Sequence, residues 1–159
     1  GQVHLRTPRA RCVLHTHMPH ATALTAIEDG RLEPISQTAL LFHGDVAYDD
    51  SYGGLATSVE EGDRIAVALG DKRILFLANH GVIVIGKTIA GAFHDLYYLE
   101  RACELQVLAM STGRPLKRIG ANVAASTFDP RWIAEPTYGA SHFAALKRVL
   151  DAEEPSYAA

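Results

Sequence analysis

The chain has 159 residues, of which 48% are hydrophobic and 21% charged, and its formal net charge is −3 at pH 7. This composition is typical of a globular protein and leaves no basic patch dense enough to bind nucleic acid or an anionic membrane. The apolar runs are far shorter than the roughly 18 residues that a membrane span requires. The two cysteines, Cys12 and Cys103, form no Cys-x-x-Cys motif and predict free, buried thiols in a cytoplasmic protein.

Apolar patterns, proline positions and glycine stops predict alternating strands and short helices over the first part of the chain. In chain order these are a buried strand at 11–17, a helix from Pro19 to Glu28 ended by Asp29-Gly30, a short helix from Pro34 to Leu41, a strand at 46–48 and a turn-rich loop at 49–54.

The same signals continue to the end of the chain, with Ser58 opening a capping box and Thr88 capping the longest helix. They predict a helix at 59–69, strands at 73–77 and 82–85 joined as a hairpin or by a bulge, a helix at 89–112, an irregular stretch from 115 to 129, a helix start at Asp129-Pro130 and an amphipathic helix at 140–152. Interleaved strands and helices indicate an α/β or α+β protein, and the short links favour antiparallel pairs.

Two strand ends carry histidines. His15 and His17 are two residues apart at the end of the first strand, where alternate side chains share a face, and His80 precedes Gly81 at the end of a second apolar run. Three imidazoles could hold one divalent metal ion and leave a position open, as catalytic sites do. The alternative is a set of hydrogen-bonded histidines at strand ends. Gly81 would permit the sharp turn beside a ligand.

Five stretches occur in an order that resembles the class II aldolase/adducin family, closest to its adducin-like branch. They are His15-Thr16-His17-Met18-Pro19, Pro34-Ile35-Ser36-Gln37-Thr38-Ala39-Leu40, Val46-Ala47-Tyr48, Leu77-Ala78-Asn79-His80-Gly81 and Ala102-Cys103-Glu104-Leu105-Gln106-Val107. The resemblance covers about residues 10–110. We expect a single domain over 1–159, with a C-terminal helical extension at about 130–152.

The resemblance implies a three-layer α/β/α fold with a largely antiparallel central sheet, and a homo-oligomer, with a tetramer favoured. It also implies that His15, His17 and His80 bind a divalent metal, most often Zn²⁺, with Mn²⁺ or Fe²⁺ as alternatives. The implied activity is that of a lyase that cleaves a small hydroxy-carbonyl substrate, sugar or sugar-phosphate-like, through a metal-stabilised enolate.

The chain departs from the family's aldolases in one respect. Those enzymes carry a glutamate acid/base upstream of the His-x-His motif, and phosphate-binding loops further upstream, whereas no carboxylate precedes Glu28 here. The general base is therefore not identifiable in this chain. Because the chain opens at Gly1 shortly before its first strand, we expect further ordered residues upstream in the native protein.

Two other functions fit the same pattern. One is a non-catalytic oligomerisation domain like the adducin head. The other keeps the metal but catalyses epimerisation, dehydration or iron-dependent oxygen chemistry.

The other histidines are expected to have structural roles. His20 is interpreted as a capping or solvent-facing residue, His43 as a loop residue and His94 as a half-buried helix residue that could approach the metal. His142 is expected on the surface of the last helix. We expect packing and surface roles on the long helix for Tyr97, Tyr98 and Glu100. Glu60 and Glu61 are expected to cap the helix at 59–69 and to offset the positive end of its dipole.

Overall fold

A four-stranded mixed sheet forms the middle layer of the computed structural model, which describes residues 1–55, 58–128, 130–135 and 137–158. Its strands are β1 (Cys12–Thr16), β2 (Val46–Asp49), β3 (Ile74–Leu77) and β4 (Gly81–Gly86). They lie in the order β1-β4-β3-β2, with β4 antiparallel to both β1 and β3, and β2 parallel to β3. The sheet is therefore largely antiparallel, as expected.

Helices cover both faces of the sheet. Helices α1 (Gln2–Arg6) and α4 (Val59–Leu69) lie on one face. Helices α2 (Pro19–Thr25), α3 (Gln37–Leu40) and α5 (Ile89–Ser111) lie on the other. The chain continues with α6 (Ala121–Thr127), α7 (Pro130–Ala134), α8 (Ala140–Glu153) and a 3₁₀ turn at Pro155–Ala158. No helix among the described residues is long and apolar enough to span a membrane.

Strict alternation along β3 and β4 produces the three layers. Ile74 and Phe76, with Val82 and Val84, point to the core under α2 and α5. The residues between them, such as Leu75 and Ile83, point to the core under α1 and α4. Because both faces are buried, these strands are continuous apolar runs rather than alternating ones.

Most of the predicted elements are confirmed. Ser58 and Thr88 accept hydrogen bonds from the backbone N–H groups of Glu61 and Gly91, so both predicted helix caps form. β3 and β4 form a hairpin, with Leu77 opposite Gly81, rather than one bulged strand. Both cysteines are free thiols, Cys103 fully buried and Cys12 half-buried.

Three expectations about the elements are wrong. β1 lies at the edge of the sheet and is only half-buried, because a single strand pairs with it. Part of the stretch expected to be irregular forms α6, and Cys12, expected to be buried, is only half-buried. The predicted helix start at Asp129 lies outside the described residues, whereas Pro130 does begin α7.

The C-terminal segment packs on α5 through aromatic and charged side chains. The Tyr138 hydroxyl donates to Asp95 at 2.8 Å, and Asp95 also pairs with Arg73. His94 and His142 face each other with their Nδ1 atoms 3.2 Å apart, and the rings of Phe93 and Phe143 are in contact. His142 is therefore half-buried rather than on the surface, where it was expected.

The His94 imidazole makes folding pH-dependent. Burial, the neighbouring His142 and the Arg73 guanidinium all lower the pKa of His94 below its ordinary 6.5. The unfolded chain then binds the proton more tightly, so the folded state loses stability as the pH falls through about 6.5. Among the described residues, the other groups facing His94 are Tyr98, Tyr138 and the adjacent Asp95, which is paired with Arg73.

We predict that His94→Gln makes the loss of stability between pH 7 and pH 5 smaller than in the parent protein. Urea unfolding at several pH values, in the presence of chelator, measures it. His43→Gln, at an exposed position, is the control and should follow the parent curve. An unchanged pH dependence in His94→Gln would contradict this assignment.

Candidate metal centre

The end of β1 places two imidazoles side by side. His15 lies opposite Ile83 in the β1–β4 pairing, and His17 follows the last residue of the strand. The Nδ1 of His15 is 3.0 Å from the Val82 carbonyl oxygen, so Nδ1 carries the proton and donates it. The lone pair of His15 is then on Nε2, which is 3.2 Å from Nε2 of His17.

The β3–β4 hairpin supplies the third imidazole. His80 lies in the turn, and its ring centroid is 4.8 Å from those of both His15 and His17. One ligand nitrogen from each histidine lies within 4.8 Å of the other two. Within the described residues, no other three His, Cys, Asp or Glu side chains converge in this way. The structure thus brings together the three histidines that the sequence singled out.

The surroundings of His80 favour the neutral form of its imidazole. Burial lowers the pKa of His80, and the neighbouring His15 and His17 lower it further. A neutral imidazole has a free lone pair, which is the form that binds a metal ion. The converging set contains no carboxylate. Its neutral imidazoles would not neutralise the charge of a bound divalent cation, and that charge would be available to polarise a substrate.

Gly81 is required for a different reason from the one expected. The turn itself is made by Asn79, which has a left-handed φ of +54°. At Gly81 a Cβ atom would lie 2.5 Å from the carbonyl oxygen of Thr16 and 2.8 Å from Cδ2 of His17. Only glycine allows β4 to begin this close to Thr16, the last residue of β1, and to His17, which follows it.

An open cavity of about 410 Å³ lies beside His15 and His80. Its walls come from the layer formed by α1 and α4 and from the adjacent face of β3 and β4. They are largely apolar, with Gln2 and Ser58 as polar groups; the apolar lining residues are Val3, Val59, Ile65, Leu77 and Ile83. A small molecule in this cavity would be in contact with two of the three imidazoles.

The other histidines lie elsewhere. His94 pairs with His142 on α8 and does not join the cluster, and His43 is exposed in its loop. His20 lies in the first turn of α2, where its Nδ1 is 2.8 Å from Oε1 of Glu100, so it has a structural partner but does not itself cap the helix.

The comparisons with known proteins agree with the motif order. The model of the family "Class II Aldolase and Adducin N-terminal domain" matches residues 1–107. The chain belongs to this family. A Caulobacter vibrioides protein, assigned provisionally by its name to aldolase class 2, is 34% identical over 98% of this chain. Human beta-adducin is 36% identical over 94% of it.

A solved enzyme of this class has the same fold. The L-fuculose 1-phosphate aldolase from Glaciozyma antarctica superposes with a TM-score of 0.76 over 96% of the chain, at 26% identity. The chain spans only part of each of these proteins: 60% of the Caulobacter protein, 22% of beta-adducin and 57% of the aldolase.

Two residues of this aldolase/adducin domain near the histidines were missed by the sequence analysis. The ring of Tyr52 lies 6.3 Å from that of His80, in the predicted turn-rich loop, whose sequence does not show which way the side chain points. Glu100, expected only among the packing and surface residues of the long helix, is buried and contacts the start of α2. A signal for it existed, since Pro19 starts a helix that has neither a capping side chain nor an acid in its first turn.

We predict that Gly81→Ala destabilises the protein by about 1–3 kcal/mol, because the new methyl group overlaps backbone atoms that cannot rotate away. Chemical denaturation measures the change. Gly120→Ala is the control, since a Cβ there meets nothing within 4 Å, and should stay within about 0.5 kcal/mol of the parent. Equal stability of the two variants would show that β1 and β4 are less tightly apposed than described.

Proposed function

We propose that this domain is the metal-binding part of a divalent-metal-dependent lyase of the class II aldolase type. The convergence of His15, His17 and His80 carries the proposal. Family membership supports it, as does the likeness in fold to a named aldolase. The proposed substrate is a small hydroxy-carbonyl compound, sugar or sugar-phosphate-like, and the proposed ion is Zn²⁺, with Mn²⁺ and Fe²⁺ as alternatives.

The residues present fit such an ion. His15 is held in the tautomer that presents Nε2, because its Nδ1–H is donated to Val82. With His17 and His80 it would supply three neutral nitrogen ligands on one side and leave the side facing solvent and the cavity open. A divalent cation bound there would act as a Lewis acid toward the oxygens of a hydroxy-carbonyl substrate.

The chain's own groups would orient that substrate. Leu77 and Ile83 form an apolar wall beside the imidazoles, and Ser58 and Gln2 offer polar contacts across the cavity. The converging group has no carboxylate, so the proton transfers of a lyase need a group outside it.

A non-catalytic role as an adducin-like assembly module is the second candidate, supported by the 36% identity to beta-adducin. The two candidates differ in their metal requirement. A scaffold does not need a bound ion, whereas the lyase does. A metal-dependent epimerase, dehydratase or iron oxygenase would share the ion and differ in the reaction.

We predict that the protein binds one divalent ion per chain and that His80→Ala lowers the affinity at least about 100-fold. Loss of a residue that hydrogen-bonds to a metal ligand typically weakens metal binding about 10–100-fold. Loss of the ligand itself should weaken it at least as much as the upper end of that range. Metal analysis after dialysis and competition with a chromophoric chelator measure it, and X-ray absorption on the zinc form should give Zn–N distances of about 2.0–2.1 Å. His43→Ala, at an exposed position, is the control.

Retention of the parent's metal affinity by His80→Ala would refute the three-histidine site. For the reaction, the full-length protein is assayed for carbon–carbon cleavage against a panel of hydroxy-carbonyl compounds. Cleavage that disappears with chelator and returns with metal supports the lyase. A metal-free parent protein that retains its assembly would favour the scaffold.

We also propose a homo-oligomer, with a tetramer favoured. The outward side of α5 carries apolar residues one helical turn apart: Leu105 is 46% exposed and Leu108 57% exposed. Such a stripe on a helix is a typical contact surface between subunits.

Light scattering on the full-length protein should give a multiple of its chain mass. Leu105→Glu combined with Leu108→Glu should shift it toward the monomer. Val149→Glu, at an equally exposed apolar residue of α8, should leave the mass unchanged. A parent protein that is monomeric at micromolar concentration would count against the assembly.

A further inference from the structure

Helix α2 begins without a cap of its own. Pro19 is its first residue, Met18 stands at the N-cap position without a side-chain hydrogen bond, and the first turn contains no acid. The first backbone N–H groups of a helix have no partner within it and need an acceptor from elsewhere.

Glu100 of α5 provides that acceptor. Its Oε1 accepts from the backbone N–H of His20 at 3.0 Å and its Oε2 from that of Ala21 at 3.0 Å. The same Oε1 lies 2.8 Å from Nδ1 of the His20 ring. With a side chain only 11% exposed, Glu100 makes these contacts largely out of water, where hydrogen bonds to a carboxylate are strong.

The anchored segment leads directly to the histidine cluster. His17 lies between the end of β1 and Pro19, three residues before His20. Among the described residues, the ring of His17 has one hydrogen-bond partner, His15. His15 differs in that its second nitrogen is tied to the Val82 carbonyl. The direction of the His17 imidazole therefore depends on its backbone.

That backbone is held at both ends. On the strand side, Thr16 pairs with Val82, and Gly81 allows β4 to pack against His17. On the helix side, the only side-chain hydrogen bonds from outside α2 to its first turn, within the described residues, come from Glu100.

We propose that Glu100 is a positioning residue for the metal centre, which aims the His17 imidazole at His15 and His80 by anchoring the start of α2. The effect of Glu100 on metal binding rests on the proposed function. Its effect on the relative positions of the three imidazole rings does not depend on a metal. A glutamine has only one acceptor oxygen, and its NH₂ group cannot accept a hydrogen bond from a backbone N–H. In Glu100→Gln, one of the two backbone amides, that of His20 or that of Ala21, should therefore lose its acceptor.

The test compares Glu100→Gln with two control variants of the full-length protein. Glu104→Gln removes a carboxylate one turn further along α5, where Glu104 pairs with Arg101 at 2.9 Å. Cys103→Ala removes a fully buried side chain of the same helix and leaves the anchor intact, so it controls for lost stability.

The first measurement needs no metal. In the metal-free protein, ring-to-ring nuclear Overhauser effects between His17 and both His15 and His80 should be present in the parent and both controls, since the ring centroids lie 4.8–5.0 Å apart. They should weaken or vanish in Glu100→Gln, with faster hydrogen exchange at the amides of His20 and Ala21.

The second measurement uses Zn²⁺ affinity and the visible absorption of bound Co²⁺. Glu100→Gln should bind Zn²⁺ about 10–100-fold more weakly and change the Co²⁺ spectrum, while Glu104→Gln and Cys103→Ala keep the parent's values. Unchanged ring contacts in Glu100→Gln would overturn the inference. The inference would also be overturned if Cys103→Ala, at the same loss of stability, lost as much Zn²⁺ affinity as Glu100→Gln. If the parent binds no metal, the proposed function fails, and the ring contacts still decide whether Glu100 orients His17.

Discussion

The close approach of β1 and β4 at Gly81 is the constraint on which the histidine cluster depends. Thr16 pairs with Val82, so His17, the residue that follows the first strand, meets the chain at Gly81, where there is no side chain in the way. The hairpin turn places His80 immediately before that glycine. One contact between two strand ends thus brings together imidazoles that are more than sixty residues apart in sequence.

The rest of the fold supports this contact from both faces of the sheet. β4 is buried on both sides, with Val82 and Val84 in one core and Ile83 and Ile85 in the other, so its position is fixed by packing. β1 is an edge strand, and β4 is the only strand among the described residues that pairs with it. A rigid central strand therefore carries Gly81, and the edge strand leaves the imidazoles accessible from solvent, which suits a site that must admit a ligand.

The sequence predicted what local patterns encode. The apolar runs around Ile74 and Val84 indicated strands, Ser58 and Thr88 marked helix starts, and the motif order indicated the family and the three histidines. Features that depend on distant partners were missed. Glu100 has the same local pattern as a surface glutamate, and only the packing of α5 on α2 shows that it caps another helix. His142 was likewise misplaced because its partner, His94, lies on a different helix.

The electrostatics of the cluster bear on the choice between an enzyme and a scaffold. Burial and the neighbouring His15 and His17 lower the pKa of His80, so protonation of His80 costs the metal-free fold stability as the pH falls, and no carboxylate in the converging set offsets that cost. A domain used only for assembly gains nothing from such an arrangement. A ligand that binds the nitrogen lone pairs of the folded state alone would offset the cost through its own binding free energy. The cluster is thus easier to account for as a binding site than as a feature of packing.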